Sequence, residues 1–162
     1  MERSHATEER ENVSLAQAAQ HVLDECRMVL PGIQALFGFQ LIAVFSDGFD
    51  TKLTDTGRVL HLAATALVAV AVALIMTPAA FHRQTATRHV SAGFLRLSSR
   101  LLLASMLPLA IGISLDFYLI ARVVVDDGIA GTVAGLLFAL FMVLWYGLPH
   151  VRRLRALADG DD

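Results

Sequence analysis

At 162 residues, 56% hydrophobic and only 17% charged, the chain exceeds the apolar share of about 45–50% usual for a soluble domain. Its formal net charge of -2 is segregated to the ends and connections, and no nucleic-acid partner is expected. The lone cysteine, Cys26, excludes an intramolecular disulfide and any cysteine-only metal site.

The first 28 residues are polar and carry Glu2, Glu8, Glu9 and Glu11 ahead of any apolar run, so no signal peptide is read there. Residues 1–12 lack apolar periodicity and read as a charged tail. Ser14 with Gln17 resembles a capping box. From there Leu15, Ala18, Ala19, Val22, Leu23, Cys26, Val29 and Leu30 recur at three- and four-residue spacing. Gln17, Gln20, Asp24, Glu25 and Arg27 fall mainly on the other side. The pattern predicts an amphipathic helix over 14–28 lying along a membrane surface.

Residues 28–46 predict a first crossing, which carries Pro31, Gly32, Gln34, Gly38 and Gln40. Pro31 is expected to kink its entry, and a polar, glycine-bearing helix tends to face protein rather than lipid. A short polar loop follows over 47–58. The run Val59–Phe81 is free of formal charge and, at 1.5 Å of rise per residue, reaches about 34 Å. That is enough to cross a hydrocarbon core of about 30 Å. The stretch 82–100 holds Arg83, Arg88, Arg96 and Arg100 without an acid. The spacing of Val90, Phe94, Leu97 and Leu101 starts the third helix before its crossing at 101–121. A tight loop over 122–127 leads to a fourth crossing at 128–149, and residues 151–162 form a charged tail.

The predicted fold is therefore all-α, an integral membrane four-helix bundle with an N-terminal interfacial helix. Four crossings put ten basic residues on the side of the termini and only Lys52, Arg58 and Arg122 on the other. The positive-inside rule then sets both termini in the cytoplasm. Twelve of the thirteen basic residues are Arg, which with the abundant Ala points to a GC-rich bacterium and its cytoplasmic membrane. Trp145, Tyr146 and Phe81 fall at the inner interface, and Phe117 and Tyr118 toward the outer one.

Asp116 is the one formal charge within a crossing. Intramembrane carboxylates are costly and often functional. Yet it lies six residues from Arg122, where water and headgroups can reach. His61 enters the second helix at a comparable depth, with Thr65 one turn deeper. Three readings follow: a structural His61–Asp116 pair, a simple interfacial Asp, or a proton or cation site. His82, His89 and His150 lie near the inner surface, but no acid accompanies them as a zinc site would want. His82, Arg83 and Arg88 read as contacts to lipid headgroups. Gly131 and Gly135, doubled by Ala130 and Ala134, form a GxxxG face that permits close helix approach. Together with Gly38 and Gln34 they are the candidate helix-packing residues. Phe45-Ser46-Asp47 matches the FSD triplet of a bacterial and lysosomal potassium-channel family. Leu41 stands where that family has an Arg, and the triplet closes a helix here, so the match is rejected. GxSxG, P-loop, HExxH and paired-carboxylate motifs are absent; no enzyme is expected, and no cofactor is implied.

Two stretches carry a resemblance. Residues 30–39, LPGIQALFGF, followed by Phe45 and Phe49, and Pro78-Ala79-Ala80-Phe81-His82-Arg83 leading into the Arg-rich connection, resemble an uncharacterised family of small bacterial four-helix membrane proteins. The likeness covers residues 20–125 and departs at Asp47-Gly48. It implies four crossings and no activity, since the family is itself a domain of unknown function. The expected function is a non-catalytic accessory subunit, in contact with lipid and other integral membrane subunits of a larger complex of photosynthetic or respiratory kind. The rival expectation is a small homo-oligomeric transporter or channel, with Gln34, Gln40, His61 and Asp116 lining its path.

Overall fold

The computed structural model describes the backbone of residues 2–85, 92–148 and 150, and the side chains of 17–49, 51–81, 83, 93–148 and 150. Regular structure among the described residues is entirely helical. The elements run α1 (Glu2–Ala43), α2 (Asp47–Lys52), α3 (Asp55–Thr85), α4 (Ala92–Val124) and α5 (Asp127–Met142), the last passing into a π-helical turn at Val143–Gly147. Four stretches are long and apolar enough to cross a membrane: Gln17–Ala43, Asp55–Phe81, Gly93–Val124 and Asp127–Gly147.

Three of these helices exceed the expected crossings. The sequence reading sets a charged tail over 1–12 and a boundary at 28, but α1 is helical without interruption from Glu2 to Ala43 and takes Pro31 inside. A proline costs one backbone hydrogen bond there; the Leu, Ala, Gln and Met around it are good helix formers and carry the helix past it. The loop over 47–58 is also more ordered than expected, since Asp47–Lys52 makes a short helix. The turn before it is closed by Phe45 N–H to the Ile42 carbonyl at 3.0 Å and Ser46 N–H to the Ala43 carbonyl at 3.1 Å. The predicted early start of the third helix over 90–101 begins, among described residues, at Ala92. The C-terminal tail, 151–162, lies outside the described residues.

The chain divides into two compact units. The first comprises residues 1–39 and 69–107. Ala19, Cys26 and Ile33, one heptad apart on α1, are buried in it, as are Ala71, Ile75 and Pro78 of α3 and Phe94, Ser98 and Ser105 of α4. The rings of Phe81 and Phe94 stack there, 5.9 Å between centroids.

The second unit comprises residues 40–68 and 108–162. Its buried residues are mostly small: Ala64, Val68, Ala110, Ser114, Ala130 and Ala134. Small side chains let helix backbones approach in lipid, where dispersion rather than the hydrophobic effect drives association. A close approach is made at Gly112. A Cβ built there would lie 3.0 Å from Val68 Cγ2 and 3.1 Å from the Ala64 carbonyl oxygen, so glycine is what admits α4 this close to α3. The start of α5 is capped by Asp126, whose carboxylate accepts from the Gly128 and Ile129 N–H groups at 3.1 Å each. That satisfies two of the donors a helix start leaves unpaired.

Candidate functional site

Asp116 sits on α4 among apolar neighbours, eight residues before the helix ends. A carboxylate in such surroundings needs partners, and two helices supply them. From the last turn of α1, the Gln40 side-chain amide donates to Asp116 Oδ2. From the second turn of α3, His61 places Nδ1 3.5 Å from Asp116 Oδ1. The same imidazole turns its other nitrogen, Nε2, to the Gln40 backbone carbonyl at 2.9 Å. Three residues from three helices thus close a ring of polar contacts within the second unit. His61 and Asp116 side chains are 12% and 14% exposed and Gln40 4%, so little water reaches the ring.

Two further groups fix the imidazole. The Phe49 ring on α2 meets it edge-on, 5.4 Å between centroids and 71° between planes. Thr65 donates to the His61 backbone carbonyl at 2.9 Å, an internal contact of α3 that leaves the His61 ring free for the cluster. The Gln40 Oε1 and Asp116 Oδ1 atoms are buried without a hydrogen-bond donor.

This geometry brings together His61, Asp116 and Gln40, three of the four residues expected along a transport path, and adds Phe49 to them. Gln40 is visible in the sequence as a polar residue inside an apolar run. Its pairing with Asp116, 76 residues away, depends on how both helices are rotated, and Phe49, present in the sequence reading through the family resemblance, has nothing there that ties it to His61. The helix-packing candidates are arranged differently. Ala130 and Ala134 are buried, whereas Gly131 and Gly135 on the adjoining face are exposed, with open space where a Cβ would stand. Gln34 is exposed, and Gly38 is half-buried with open space at its Cβ position.

At the interface positions, Arg83 is exposed, and Trp145 and Tyr146 are half-buried. Trp145 stacks on Phe141 one turn earlier, at 4.7 Å. The side chain of His82, and Arg88 and His89 altogether, lie outside the described residues. Beyond the cluster, Arg122 grips Asp127 with two hydrogen bonds, Nε to Oδ1 at 2.6 Å and Nη2 to Oδ2 at 3.1 Å. Its guanidinium lies over the Tyr118 ring, 5.5 Å from the centroid. Among the described residues no group of three or more His, Cys, Asp or Glu is placed to hold a metal ion.

What this arrangement can do chemically is hold and orient a proton: an imidazole faces a carboxylate, and an amide steadies each. It offers no activated nucleophile beside a base. No curated protein and no solved structure matches the chain. A family of unknown function, DUF6328, matches residues 8–149. That match takes in α1 from residue 8 onward, the whole of α2 to α5 and all of the polar cluster, and the chain belongs to this family.

Proposed function

We propose that the chain is an integral protein of a bacterial cytoplasmic membrane, crossing it four times with both termini inside. In this reading it is a non-catalytic subunit packed against other integral membrane subunits. The observation that carries the reading is Gln34. Its amide is exposed in the middle of the apolar stretch Gln17–Ala43, where hydrocarbon could satisfy none of its hydrogen bonds. Gly38, one turn on, leaves room for a neighbouring helix on that side. A partner helix that hydrogen-bonds Gln34 and packs closely at Gly38 accounts for both. Gly131 and Gly135 offer a second open face of the same kind.

A photocrosslinking residue placed at 34 or 131 in native membranes tests this. Adducts to another integral membrane protein are expected from both positions and not from 136, where Leu136 is 65% exposed and faces lipid in this reading. Adducts to lipid alone at all three positions overturn it.

The polar cluster favours a second reading, a small homo-oligomeric transporter or channel using His61 and Asp116. Proton or cation flux into liposomes carrying the purified chain, compared with Asp116→Asn, decides it. Flux equal to that of empty liposomes removes this reading.

A further inference from the structure

The hydrogen bonds of the Gln40–His61–Asp116 cluster determine how many protons it holds. A carbonyl oxygen only accepts, so the 2.9 Å contact to the Gln40 backbone requires the hydrogen on His61 Nε2. The neutral imidazole with that hydrogen has a bare lone pair on Nδ1. Nδ1 faces Asp116 Oδ1 at 3.5 Å, and an ionised carboxylate offers it only further lone pairs. Two acceptors facing each other out of water repel, and both would be left unsatisfied. One hydrogen between them removes the conflict, either on Nδ1 as an imidazolium beside a carboxylate or on Oδ1 as a carboxylic acid donating to Nδ1. Both forms leave the pair with no net charge, the cheapest state in an apolar setting.

The surroundings act in the same direction. The Gln40 carbonyl lies in the last turn of α1, where the helix dipole favours positive charge. Gln40 Nε2 donates to Asp116 Oδ2 and leaves Oδ1 to the imidazole. The Asp116 carboxyl is the titratable group that α4 turns to His61. Among the described residues, α1 brings the Gln40 carbonyl to the imidazole and the Gln40 amide to the carboxylate, and α2 brings the Phe49 ring. On α3 itself the charged side chain one turn earlier is Arg58, paired with Asp55 at 3.4 Å.

We infer that His61 and Asp116 form a proton-binding site, in which one proton is held between Nδ1 and Oδ1 at neutral pH while Gln40 fixes both partners. The ligand is the proton itself, and the residues that hold it come from α1, α3 and α4. This stands independently of whether the chain packs against other subunits.

Nitrogen-15 NMR of histidine-labelled full-length protein in bilayers at pH 7, with carbon-13 NMR of its aspartates, reads the protonation state directly. The His61 signals are assigned against His61→Gln, or, if that variant does not fold, by removing the other histidines in turn. The expected result is His61 with hydrogen on both nitrogens beside an ionised Asp116, or His61 with hydrogen on Nε2 alone beside a protonated Asp116. Either outcome counts one shared proton. A neutral His61 of either tautomer beside an ionised Asp116 overturns the proposal.

Discussion

His61 reaches the backbone carbonyl of Gln40 at 2.9 Å through Nε2, while the side chain of that same Gln40 donates to Asp116. One residue of α1 is thereby engaged at main chain and side chain by two other helices. Such a doubly engaged residue sets the rotation of α1 about its own axis, because a turn in either direction breaks both contacts. Substitutions in this ring should therefore depend on hydrogen-bonding pattern more than on charge.

Asp116→Asn keeps an oxygen to accept from Gln40 and gains an N–H to donate to His61 Nδ1, so it mimics the protonated acid. With both partners still satisfied, it is expected to cost less than about 1 kcal/mol. Asp116→Ala strands the Gln40 amide and the imidazole and is expected to cost about 1–3 kcal/mol. Thermal unfolding in mild detergent ranks the two variants; equal losses would refute the pairing.

Gly112→Ala places a methyl group 3.0 Å from Val68 Cγ2 and 3.1 Å from the Ala64 carbonyl oxygen, and the second of these cannot swing away. A loss of about 1–3 kcal/mol is expected. Adding Val68→Ala relieves only the side-chain contact and should restore only part of it. In contrast, Gly131→Ala meets nothing within 4 Å and should raise the stability of the isolated chain by about 0.5–1 kcal/mol.

Asp126→Ala removes the acceptor of two N–H groups at the start of α5. The expected cost is about 1 kcal/mol, read as faster amide hydrogen exchange confined to the first turn of that helix. Unchanged protection at Gly128 and Ile129 would show that the cap contributes nothing.

If both termini face the cytoplasm, a thiol at Thr51→Cys reacts with an impermeant reagent on intact cells, and one at Arg83→Cys reacts only after lysis. Both positions are exposed on the protein, and the native Cys26 is 3% exposed, so background labelling should be low. The reverse pattern inverts the proposed topology.

Much of the architecture was legible because long apolar runs have few alternatives. The uncharged stretch Val59–Phe81 reads as a helix without any knowledge of its neighbours, and it lies wholly inside α3. Asp116 was conspicuous for the same reason, as a single charge within such a run. Other features depend on rotation and register, which a nearly uniform apolar surface does not encode. On α5 the pairs Ala130/Ala134 and Gly131/Gly135 have the same spacing, and only three-dimensional packing turns the alanines inward and leaves the glycines open.

The boundary expected at residue 28 illustrates the opposite difficulty. Pro31 and the change from charged to apolar composition both suggest an interruption, but α1 continues through them. By itself, then, the amino-acid order determined that four long apolar helices form, which connections carry the charge, and which acid is out of place. Only the tertiary structure decided that Gln40 joins His61 and Asp116. Helix formation follows from local propensity and apolar length, whereas a contact between residues 76 positions apart exists only once three helices have fixed their rotations against one another.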